Sequence, residues 1–210
     1  TLFLLAAGSL VPVWITRFLP LVDEPNHLSA IYVWHHLVDP KSPLHQFYEL
    51  RIEPVSYFLH YFIAHEAAWL VGVEAGHKLA LSPYVLGLPL AGLWWCKRTE
   101  RTPWRCVTLF ALPYSHFWAF GFHPFNLGIA VMLLAVSVFD RLFQEFSVGW
   151  LMAAAGMSVL CFLSHPIPLG MLFMTSDDLS GQEWDPSGLG AHLDTRELLL
   201  RIALEAVLQL

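Results

Sequence analysis

Apolar residues along the chain gather into long runs divided by short polar breaks, and those runs set the first expectation. A helix that crosses a bilayer needs about 20 apolar residues at about 1.5 Å rise each. Residues 1–19 meet that requirement, as do 78–96, 106–122, 127–143 and 148–164. Residues 54–73 are equally apolar but carry His60, His65 and Glu66, which are costly at a bilayer centre, so they predict an interfacial or re-entrant helix. Residues 20–53 are polar and rich in histidine. They predict a segment outside the hydrocarbon, where charges and unpaired backbone meet water. Pro166 and Pro168, following His165, end the run at 148–164, because proline lacks the amide donor and clashes one turn back.

The pattern predicts an all-α fold, a polytopic transmembrane helical bundle with an interfacial helical outer loop. Residues 1–174 form the transmembrane region, with about five spans and interfacial helices over 25–73. Residues 175–210 form a polar loop and a C-terminal amphipathic helix, with Asp194 as N-cap and Arg196 and Glu197 in its first turn. The first run is already under way at Thr1 and the last helical pattern is still running at Leu210, so both ends read as cuts in a longer chain.

Composition strengthens the membrane reading: 56% of residues are apolar and only 13% charged, against about 25% charged in an ordinary soluble domain. Nine Trp and fifteen Phe fit the aromatic belts at the two headgroup levels. The net charge of -6 comes largely from residues 177–194, and with no basic face the chain is not a nucleic-acid binder. Trp94 and Trp95 are followed by Lys97, Arg98, Arg101 and Arg105, a basic loop that the positive-inside rule places in the cytoplasm. Residues 20–77 then lie outside, with His27, His35, His36, His45, His60, His65, His77, His123 and His165 at or near the outer face. Cys96, Cys106 and Cys161 lie in or beside apolar runs without CxxC spacing, which predicts core residues rather than a disulfide frame or a zinc site.

The chemistry-bearing stretch is Leu19 to Leu28, where Asp23, Glu24 and His27 meet the chain as it leaves the first run. Pro25 suits the first position of a helix that starts near Glu24. Partial desolvation at a lipid boundary raises a carboxyl above about 4 and makes it a better base, able to take a proton from an acceptor hydroxyl. His27, one turn on, is placed to orient a carboxylate or bind a phosphate. The plainer reading is that the three residues cap and solvate the first outer helix. A divalent cation such as Mn or Zn suits His27, His35, His36 or His45 with Asp23 or Glu24, although the adjacent His35 and His36 point about 100° apart on a helix. His60, His65 and Glu66 form either a stripe facing a water-filled cavity or the headgroup side of an interfacial helix. His116 reads as an interhelical hydrogen-bond partner.

The Asp23-Glu24 pair followed by His27 resembles the acidic first-loop motif of the GT-C superfamily of membrane glycosyltransferases, which includes protein O-mannosyltransferases and bacterial aminoarabinose transferases. Glu53-Pro54-Val55-Ser56-Tyr57-Phe58-Leu59 resembles that family's interfacial helix, and residues 72–96 with Lys97-Arg98 its second span. The resemblance covers residues 1–174. It implies a multi-pass protein of the bacterial inner membrane, a polyprenyl-phosphate sugar as donor and a hydroxyl acceptor of unspecified identity. It further implies Asp23 as catalytic base, Glu24 as its acidic partner toward acceptor or metal, and His27, Tyr57 and His60 as substrate contacts. Family members have more spans and often a distal soluble domain, which this sequence does not display. Two other functions compete. A transporter or channel expects ionisable groups along several spans, for which His60, His65, Glu66 and His116 qualify, and a structural membrane subunit expects no chemistry at Asp23 and Glu24.

Overall fold

The computed structural model describes residues 2–53, 55–98, 100 and 102–180. The helix expected over 195–210 and its cap at Asp194 lie outside the described residues. Among the described residues the fold is all-α, with no strand. It comprises α1 (Leu2–Trp14), α2 (Glu24–Leu37), α3 (Phe58–Val71), α4 (Val73–Arg98), α5 (His116–Phe120), α6 (His123–Gln144), α7 (Val148–Ser164) and α8 (Pro166–Ser180), with 3-10 turns at Pro43–Gln46 and Pro103–Phe110.

Local chemistry accounts for several boundaries. Ser147 accepts a hydrogen bond from the Trp150 amide at the start of α7, and Pro166 follows its C-terminal His165, so α7 keeps the expected limits. α2 begins at Glu24 with Pro25 in its first turn, and Asp23 flanks it without a side-chain capping bond. α3 opens at Tyr57, which adopts a left-handed φ of 75° and donates its amide to the Ser164 carbonyl at 3.2 Å.

Two helical stretches, Val73–Lys97 and His123–Gln144, are long and apolar enough to cross a bilayer. α1, at 13 residues and about 20 Å, is shorter than the expected span over 1–19, and the chain from residue 15 to 23 is irregular. The continuous span expected over 106–122 is absent. A 3-10 turn, a bend at Pro113 and the five residues of α5 occupy it instead. Pro113 offers no amide donor to a helix, and its carbonyl accepts from the Tyr84 hydroxyl at 2.8 Å. Cys106, Phe110 and Trp118 are buried, so much of this run's apolarity serves packing within the protein.

Three clusters hold the bundle. α6, α7 and α8 share a core that includes Ala135, Phe139, Leu142, Cys161 and Leu172. Val13 and Leu19 meet Leu81, Tyr84, Val85 and Leu88 of α4, with Trp118 and Ala130. Ile31, Ala64 and Ala80 join α2, α3 and α4. α3 and α4 approach closely at Gly76, where a Cβ would stand 2.7 Å from the Ala64 carbonyl oxygen and the Ala68 nitrogen. The end of α1 is fastened to α4 by a two-pronged Arg17–Glu74 pair, both contacts 2.9 Å, and by Lys78, whose Nζ donates to the Thr16 carbonyl. These contacts aim the Leu19–Asp23 segment at the junction of α2, α4 and α6.

Candidate functional site

At that junction four histidines and one glutamate from four helices are buried together. Glu24 and His27 come from the first turn of α2, His60 from α3, His77 from the first turns of α4, and His123 from the first residue of α6. Glu24 is 3% exposed, and His60, His77 and His123 at most 1%. The plainer reading of Glu24 and His27 as solvated first-turn residues therefore does not describe their setting.

Glu24 Oε2 accepts from His77 Nε2 at 3.0 Å and from His123 Nε2 at 3.3 Å. Burial alone pushes the Glu24 carboxyl up, but the hydrogen bonds from His123 and His77 outweigh it and hold it at about 2, below its usual 4.5. This reverses the expectation of a raised carboxyl at this position. Glu24 is a buried anion rather than a base poised near neutrality.

His27 sits on the rim of the cluster, its ring 4.6 Å from that of His123 and 5.8 Å from that of His60. Its Nε2 donates to the Gly121 carbonyl at 2.7 Å, which leaves Nδ1 to accept from the Tyr61 hydroxyl at 2.8 Å. Burial lowers its pKa, so the ring is held neutral. A substrate phosphate would have to displace one of those two bonds.

His60 is enclosed completely. Its ring lies 5.3 Å from that of His77 and 5.6 Å from that of His123, and neither of its nitrogens has a hydrogen-bond partner. Nδ1 of His77 and Nδ1 of His123 are likewise buried without a partner. With no accessible surface, His60 can meet a substrate only if the bundle opens.

Asp23 is half-exposed beside this cluster. Its amide donates to the Phe120 carbonyl at 3.2 Å, and Oδ1 accepts from Asn26 Nδ2 at 3.4 Å. Two clefts lie on the same part of the bundle, one of them lined by Glu24. A groove of about 670 Å³ runs between Phe18, Leu28, Tyr32, Leu44, Val71 and Val73. A smaller cleft of about 350 Å³ is lined by Leu19, Leu21, Glu24 and Pro25 and shares Phe18, Leu28 and Ser29 with the groove.

The other sequence candidates lie elsewhere. Tyr57 packs edge-on against His165 at 4.9 Å, and His165 in turn meets Phe125 at 5.3 Å. His45 bonds to the Asp39 carbonyl and His36 to the Tyr32 carbonyl, while His35 lies against Trp69 and His65. Of the histidines suited to an ion beside Asp23 or Glu24, His27 therefore lies at the cluster, and His35, His36 and His45 make their contacts elsewhere. His77 and His123 stand beside Glu24, and the sequence pattern puts both at the outer face without joining them. Their signal was position: each stands in the first turns of a helix long enough to cross a bilayer. His65 is buried between Trp34 and Trp69, whereas Glu66 and His116 are exposed. Comparison of the chain with protein-family models, curated proteins and solved structures gives no match.

Proposed function

We propose that the chain is the donor-handling part of a polytopic membrane glycosyltransferase, moving a sugar from a polyprenyl-phosphate carrier to a hydroxyl acceptor at the outer face. The observation that carries this reading is the continuity of a largely apolar groove with a cleft whose wall includes Glu24, with Asp23 half-exposed next in sequence. A lipid tail suits the groove, and the reacting end then lies in the cleft lined by Glu24, the next residue after Asp23. Large apolar side chains exposed on the bundle, among them Phe3, Leu4, Leu70, Val148, Met152 and Met174, suit a lipid surround.

In this reading Asp23 takes the proton of the acceptor hydroxyl as its oxygen forms a bond to the anomeric carbon. The bond from that carbon to the carrier's phosphate breaks, and its electron pair leaves on the phosphate oxygen. Glu24 stays ionised and fixes the first turn of α2 through His77 and His123. His27 positions the Gly121 turn against which Asp23 rests. A transport path draws less support, because the ionisable residues expected to line it are scattered: His60 is in the cluster, His65 is between tryptophans, and Glu66 and His116 are at the surface.

The full-length protein, purified in detergent and given radiolabelled polyprenyl-phosphate sugars, tests this. Asp23→Asn is expected to lower transfer or donor breakdown by about 100-fold or more while the protein remains folded, the scale of a lost general base. Unchanged turnover in that variant, or a wild-type protein that neither binds nor consumes such donors, removes the reading.

A further inference from the structure

We propose that Glu24, His77 and His123 form a binding site for a divalent transition-metal ion of the zinc class, with His60 completing the shell. The site does not depend on sugar transfer. Its ligand atoms are one carboxylate oxygen and two imidazole nitrogens that lie within 4.8 Å of one another, and both nitrogens already point at the same oxygen. They come from α2, α4 and α6, so an ion there would tie three helices at one point.

The unpartnered nitrogens of His60 supply an independent reason. Without an ion, His77 and His123 must each carry a proton on Nε2 to donate to Glu24, which strands both Nδ1 atoms. His60 is worse placed, since a neutral imidazole always carries one N–H and neither of its nitrogens finds a partner. Four buried imidazole nitrogens are thus unsatisfied around one point, where buried polar groups are ordinarily paired. An ion bound through the two Nε2 lone pairs replaces their hydrogen bonds to Glu24 and moves each ring's proton to Nδ1, so of the unpartnered nitrogens it relieves only one of His60. A turn of the His60 ring offers it a third nitrogen.

The donor set selects the class of ion. Two imidazoles with one carboxylate are the ligands of zinc and of ferrous iron, whereas magnesium and calcium prefer oxygen throughout. His27 is a neighbour and not a ligand, because Gly121 and Tyr61 occupy both of its nitrogens. Glu24 also lines the smaller cleft, which supplies an entry path.

The test uses the full-length chain in detergent, dialysed with zinc and then against metal-free buffer, with metal content measured by mass spectrometry and no sugar donor present. One ion per chain is expected in the wild type and in His36→Ala and His45→Ala, and background levels in His77→Ala and in His123→Ala. Cobalt loading is expected to give the intense visible bands of a four-coordinate site. His60→Ala is expected to weaken those bands and to lower affinity about 10–100-fold, and an unchanged spectrum removes His60 from the shell. If the alanine variants fail to fold, the wild type decides: a chelator should lower its Tm and zinc should restore it. Failure of the wild type to hold zinc, with no change in Tm, overturns the proposal, as does full loading of folded His77→Ala and His123→Ala.

Discussion

Nε2 of His27 donates a 2.7 Å hydrogen bond to the carbonyl oxygen of Gly121, joining two residues 94 positions apart in the chain. The same turn receives the Val22 amide at Ala119 and the Asp23 amide at Phe120, so three bonds clamp the start of α2 onto the segment before α6. Gly121 has a φ of +86°, and a Cβ there would meet the Asp23 Cβ at 3.0 Å and its nitrogen at 3.2 Å. Gly121→Ala is therefore expected to destabilise the protein by about 1–2 kcal/mol from the left-handed backbone alone, with a further loss from the contact. Denaturation in detergent measures the effect. An unchanged midpoint would mean that the turn is not held as described.

Much of the helical framework was legible in residue order. Pro166 marks the end of α7 and Pro25 the start of α2, because the missing proline donor acts within one turn of the chain. Residues 106–122 were not legible in the same way. Hydropathy registers that a side chain avoids water but not whether it meets lipid or protein, so Cys106, Phe110 and Trp118 read as a span and are buried against neighbours instead. The cluster around Glu24 was half legible. Its carboxylate and His27 stood in a conspicuous stretch, but His77 and His123 reach Glu24 across 53 and 99 positions, and no local pattern encodes such a meeting. The depressed Glu24 carboxyl follows from those two partners, which is why burial considered alone predicted the opposite direction.

A second group of rings fastens α2 to α3. His65 stacks on Trp34 at 4.8 Å, His35 lies 4.3 Å from Trp69, and Trp69 Nε1 donates to His65 Nε2 at 3.4 Å. Burial lowers the pKa of both histidines below the ordinary 6.5, and the nearby charges are His36, beside His35, and Glu66, 4.0 Å from His65. The folded form thus binds protons less readily than the unfolded chain, so stability falls as pH drops below about 6.5 and is retained above it. Hydrogen exchange of the α2 and α3 amides, followed from pH 7.5 to 5.5, should show faster opening at the acid end, and His35→Gln with His65→Gln should flatten that dependence. Opening that slows as pH falls would contradict the sign.

At the far end of α4, the Sγ atoms of Cys96 and Cys106 lie 3.1 Å apart and are both buried, while Cys161 is enclosed within the α6–α7–α8 core. A disulfide bond is about 2.05 Å long, so closing this pair asks for a shift of roughly 1 Å. A membrane-permeant oxidant should therefore join Cys96 to Cys106 within a single chain and leave Cys161 as a free thiol, which peptide mass mapping without reduction would read directly. Burial makes the reaction slow, because the oxidant has to reach two enclosed sulfur atoms. Cys96→Ser should abolish the cross-link without making Cys161 a substitute partner. A disulfide that includes Cys161 in the folded protein would instead mean that the Pro103–Phe110 turn does not pack on α4 as it does here.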